Sequence, residues 1–236
     1  MYGDSQVWVA GGVVSSPLLT QIMFNQWSNE MTKKYKLTKK HIIHNGVKLF
    51  QIQALVTFDT VVAGELGGYI QSEECLSHSG NAWVSGEAQV YGSAQVYGDA
   101  QVYDRARVYG SAQVYGDAQV SSNALVYGDA RVYGSARVYG YARVCDDAQV
   151  YDSAWVSGDA QVSGNAWVCD DAQVTGSAQV YGYSRVYGYA RVSGYAQVYG
   201  SAQVYNSAQV SRNAWVYGDA QVSGDAQVSG YARVFI

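Results

Sequence analysis

Proline is almost missing from this chain of 236 residues, with Pro17 standing alone. Lysine stops at Lys48 and histidine at His78. Cysteine occurs three times, at Cys75, Cys145 and Cys169. An odd number at irregular spacing excludes a disulfide framework and reads as reduced thiols. The first 25 residues lack a basic stretch followed by an apolar one. No apolar run approaches the roughly 18 residues that a spanning helix needs. Neither a secretory signal nor a membrane span is therefore expected, and the protein is expected in the cytoplasm. Dense positive charge is missing too. Residues 1–80 carry six lysines against six acids and cancel, whereas residues 81–236 carry nine arginines against thirteen acids, the whole net charge of −4. A lysine-free, acidic array excludes general nucleic-acid binding, which depends on dense cations facing phosphates. Disorder is excluded by a chain that is 48% hydrophobic.

What is present is a six-residue phrase. Valine occupies position 84 and every sixth position through Val234; alanine occupies 82, 88, 94 and onward through Ala232, with Ser184 the one exception. In the unit Ala-x-Val-x-x-x, Ala and Val are two apart and share one face of a short strand. The other three positions read Tyr or Ser, then Gly, Asp or Asn, then a polar residue or Tyr. That is turn chemistry, with Gly supplying positive φ. A three-residue strand and a corner, repeated every six residues, predict a parallel β-helix.

These Val and Ala positions resemble the hexapeptide-repeat superfamily, typified by bacterial acyltransferases. The resemblance implies a left-handed parallel β-helix, with three hexads forming one triangular coil. Its fold class is an all-β solenoid of eight to nine coils, bearing a small α+β cap at the N-terminus. One departure is Tyr directly after Val, where that superfamily often carries Gly or another small residue. Within the sequence a three-hexad coil requires positions 18 apart to stack and to look alike. The residue after Val obeys: one series is mostly Ser (Ser85, Tyr103, Ser121, Tyr139, Ser157) and two are mostly Tyr (Tyr91, Tyr109, Tyr127 and Tyr97, Tyr115, Tyr133). Two tyrosine ladders and one serine ladder are expected, with the outward Gln side chains hydrogen-bonding up their own rows.

Residues 1–80 read as a cap ahead of the array at 81–236. Residues 16–32 carry Ser16 and Pro17 at a helix start. From His41 to Phe58 the pattern is a hairpin turning on Asn45-Gly46. The lead-in, YKL from Tyr35, then AGELGGYI and LSHSGNAWV, resembles uncharacterised hexapeptide-repeat proteins of enteric bacteria and their phages or prophages. That resemblance implies the fold and a phage-related origin, but no activity.

The superfamily's acyltransferases use a His general base and loops that break the repeat. This array has no His and no insertion in 26 hexads. An acyltransferase is therefore disfavoured, since function follows the site and not the fold. His41, His44 and His78 fall in the cap. AGELGG at 63–68 lacks the GK[ST] ending of a phosphate loop. VCDDAQV at 144–150 and 168–174 pairs a thiol with two carboxylates, but the copies are four hexads apart, so their cysteines fall on different corners. No cofactor and no metal is expected. Arg131, Arg137 and Arg143 occupy consecutive outward positions beside Tyr133, Tyr139 and Tyr141; Arg185 and Arg191 repeat the motif. Such a belt suits an anion or a nucleotide, although one Arg per face would need a neighbouring subunit to form a pocket.

The expected role is that of a non-enzymatic structural or interaction rod, acting through its flat faces, its Tyr ladders or an end. An ice- or surface-binding solenoid is the other alternative, weakened by a single Thr in the array. The strand edge at Phe235 and Ile236 invites another copy, end to end, or another protein; side-by-side trimers are the other assembly. Tyr2, Gly3, Asp4, Ser5, Gln6 and Val7 spell one detached hexad. It is either a remnant of an ancestral array or a strand that pairs with a solenoid edge.

Overall fold

The computed structural model describes residues 33–236. The chain divides into two units, Met1–Lys34 and Tyr35–Ile236. The predicted helix at 16–32 and the detached hexad Tyr2–Val7 lie outside the described residues. The second unit is a parallel β-solenoid. Its strands form three sheets of twelve, nine and eight strands, and along the array each strand pairs in register with the strand three hexads on, as Val120 with Val138 and Val132 with Val150. About nine coils result.

The hexad builds this stack for a physical reason. Ala and Val point inward at every turn, and from Ala82 to Val222 they are buried almost without exception. Burying one Val side chain contributes about 1.5–3 kcal/mol. Most of the array strands are two residues long, not three, with Trp215–Tyr217 and Arg233–Phe235 the exceptions. The ladder runs on past them through the flanking groups, as the Gln101 amide donates to Ala118 O and the Tyr103 amide to Val120 O. At the corner, the Asp99 amide donates to Gly116 O. Strand and corner amides are thus paired with carbonyls of the adjacent coil along the array. Ser184, the odd residue in the Ala series, is fully buried and donates its hydroxyl to Tyr181 O at 2.9 Å.

The lead-in joins the stack directly. Strand β1 (Tyr35–His44) and β2 (Val47–Ala54) form an antiparallel hairpin. Its turn places both Asn45 and Gly46 at positive φ, as a two-residue hairpin loop demands. Strand β3 (Leu66–Ile70) runs antiparallel to β2 yet pairs in parallel with Gln89–Val90 of the array. The hairpin therefore continues the twelve-stranded sheet, and stacking begins ahead of residue 81. Gly67 and Gly68 make this possible: a Cβ on Gly67 would sit 2.5 Å from the Ile52 side chain, and one on Gly68 2.7 Å from Ala88 O. At the hairpin, Tyr35, Ile52, Leu76 and Trp83 fill the end of the core. Among the described residues no helix is long and apolar enough to cross a membrane.

Candidate functional site

Each hexad turns three side chains outward: the residue before Ala, the one between Ala and Val, and the one after Val. A sheet therefore shows three parallel rows. On the eight-stranded sheet the middle row includes Arg131, Gln149, Trp167 and Arg185, which face one another as register partners in consecutive coils. The row before it places Asp129, Asp147, Asn165 and Tyr183 alongside. These eight residues line a groove of about 380 Å³. The Arg185 guanidinium lies 4.5 Å from the centre of the Trp167 ring. Tyr183 is 69% exposed at the groove's edge. Among the described residues no carboxylate is within ion-pairing distance of Arg131 or Arg185.

Arg131, Arg137 and Arg143 lie on three different sheets, so the triplet does not converge. Residues three coils apart within one chain share a face: Arg131 and Arg185 line opposite ends of the one groove. Arg137 shares the nine-stranded sheet with Arg191, across Trp155 and Gln173. The groove is formed within one chain, by residues other than that triplet. Asp129, Asp147, Gln149, Asn165 and Trp167 went unnoticed in the sequence, although their three-hexad offsets were there to read. Tyr133 belongs to a ladder, stacked on Tyr115 and Tyr151 at 4.9 Å. Tyr139 and Tyr141 are exposed. Phe235 is a rung below Tyr217, at 5.1 Å, and Ile236 is 86% exposed.

Next to the groove, one donor atom each from Asp152, Cys169 and Asp170 lie within 4.8 Å of one another. The two VCDD cysteines do occupy different corners, following the twelve- and eight-stranded sheets. Burial raises the Cys169 thiol pKa, and the Asp170 and Asp152 carboxylates add to that against a lowering hydrogen bond from Tyr151. Cys145 is raised as well, first by burial. Neither is an activated thiolate. Asp170 also accepts a bond from the Gly188 amide one coil on, as Asp146 does from Gly164 and Asp104 from Ser122. Such a bond accompanies Asp104, Asp146 and Asp170, each at a corner with positive φ.

The row chemistry differs from expectation in one respect. Among the described residues the outward glutamines do not bond one another. Instead Tyr133 donates to Gln149 Oε1 at 3.3 Å, and Tyr181, Tyr187 and Tyr205 do likewise to Gln197, Gln203 and Gln221. The three histidines serve the lead-in. His78 stacks on Tyr35 at 4.3 Å and lies 3.6 Å from Glu73. His44 reaches Arg107 at 3.3 Å, and His41 contacts Lys39 O and Phe50.

A known family shares this pattern. Residues 100–116, 124–140 and 142–158 match the model of the YdcK beta solenoid repeat. Each matched segment starts on an Ala of the hexad, which ties the match to the inward frame that builds the coils. Together the segments cover less than half of the chain. No curated protein matches it.

Proposed function

We propose that this protein is a non-catalytic β-solenoid rod that captures a partner on its side-chain rows, with the groove between Arg131 and Arg185 as the capture site. The observation carrying the proposal is the convergence, within one chain, of two arginines, two carboxylates and two aromatic rings along one sheet. A second support is the unbroken run of 26 hexads without a histidine. An acyl-transfer site needs a general base within hydrogen-bond reach of its acceptor, and here the histidines are engaged with Tyr35, Arg107 and Lys39. The hexapeptide-repeat kinship and the phage or prophage setting implied by the lead-in belong to this reading. So do a cytoplasmic location and association with a second copy. Pairing of Tyr2–Val7 with a solenoid edge also belongs here; deleting residues 1–12 should then change assembly measured by light scattering. Calorimetric titration with acyl-coenzyme A tests the non-catalytic part. No saturable heat is expected, and saturable binding would restore the acyltransferase.

A further inference from the structure

We infer that the groove on the eight-stranded sheet takes a neutral, linear oligosaccharide; this rests on the capture reading above. The first argument is charge. Arg131 and Arg185 offset Asp129 and Asp147, so the lining as a whole is neutral. A polyanion would meet the two carboxylates and a polycation the two guanidinium groups. A neutral ligand that donates and accepts at every step meets neither penalty, and a sugar hydroxyl does both. The side chains match that need: guanidinium groups only donate, carboxylates only accept, and the amides of Gln149 and Asn165 do each. Tyr183, and the part of the Trp167 ring that Arg185 leaves uncovered, add apolar surface for the C–H faces of a sugar.

The second argument is geometry. The groove spans four rungs from Arg131 to Arg185, about 14 Å at roughly 4.8 Å per rung. Polar groups thus recur along a straight line, as hydroxyls do along a linear glycan. An extended peptide would instead seek backbone pairing. That is denied here, because the Arg131, Gln149, Trp167 and Arg185 amides already donate to Ala148, Ala166, Ser184 and Ala202 carbonyls in the next coil. Recognition must come from side chains alone, which suits a saccharide.

The test is calorimetry of the full chain with malto-, cello-, xylo- and N-acetylchito-oligosaccharides of increasing length. A heparin fragment and an extended peptide serve as comparison ligands. Binding by one neutral series is expected, strengthening with length until the four rungs are covered and then levelling. Trp167→Gln, at an inner rung, should weaken it about tenfold or more, as loss of a central contact does; Arg185→Gln, at the end rung, should weaken it less. Arg143→Gln, on the twelve-stranded sheet, should not. Gln is the commonest residue at these positions, so the variants should fold, as circular dichroism will show. Neutral-glycan binding that Trp167→Gln leaves unchanged would overturn the proposal. If only the heparin fragment or the peptide binds, and loses binding in Trp167→Gln, the saccharide assignment falls and the capture reading stands. If no ligand of any class depends on Trp167, both fall.

Discussion

At the scale of single residues, the corner is where this sequence is most constrained. Gly140 sits at φ +74°, and an added Cβ would lie 3.0 Å from Gly158 N; Gly224 sits at φ +65° with nothing within 4 Å. The left-handed backbone alone costs a non-glycine residue about 1–2 kcal/mol. Gly224→Ala should therefore lose about that much and Gly140→Ala more, the excess measuring the coil-to-coil crowding in thermal or denaturant unfolding. Gly140→Asp should be milder than Gly140→Ala despite its larger side chain. Its carboxylate can accept the Gly158 amide, as Asp170 accepts Gly188, and Asp tolerates the left-handed region. Equal losses for Ala and Asp would show that the corner bond contributes nothing.

At the scale of elements, the ladders are the distinctive feature. Stacked tyrosines lie 4.8–5.1 Å apart with ring planes 1–4° from parallel. Cys169 interrupts the row between Tyr151 and Tyr187. Cys169→Tyr creates two new ring pairs, and at about 0.5–1.5 kcal/mol each the melting temperature should rise. A fall would show that the Asp152 and Asp170 carboxylates need the smaller thiol. The surroundings of the ladder tyrosines also set a pH limit. The Tyr127 pKa is pushed up to about 12, first by its hydrogen bond with Cys145 and then by burial, and burial raises Tyr91, Tyr109 and Tyr133. Unfolded tyrosines ionise near pH 10. The unfolded chain therefore releases protons first as pH rises, and stability should be intact below pH 10 and fall between about pH 10 and 12. Melting curves across that range, with phenolate absorbance recorded alongside, check the sign. The elements themselves were legible in the sequence because Ala and Val recur strictly and Asn45-Gly46 can form few turns. The Tyr–Gln bonds were less so: each is a diagonal between adjacent coils, as from Tyr133 to Gln149, and exists only once the coils are stacked.

The same arithmetic governs the whole molecule. The groove was hidden because Arg131, Arg137 and Arg143 are neighbours along the chain, whereas Arg131 and Arg185, nine hexads apart, are neighbours across three coils. Applied to the arginines, the offset that sorted the Ser and Tyr ladders would have placed both on one sheet. In a solenoid each coil contacts only the coils beside it, so whole coils should be removable. Deleting residues 146–163 takes out one full coil and joins Cys145 to Gly164 in frame. Every later strand keeps its sheet, Trp167 and Arg185 stay on the face of Arg131, and the melting temperature should change by only a few degrees. Deleting residues 146–151 also keeps the hexad frame, since Cys145 then precedes Asp152. Yet it moves every downstream strand back onto the preceding sheet, setting Tyr rows against Ser rows and parting Arg131 from Arg185. That shorter deletion should fold with a lower melting temperature than the longer one and lose groove binding altogether. Should the one-hexad deletion melt no lower than the full-coil one, the ladders would be ornaments of the repeat, with the inward Ala and Val alone carrying the stability.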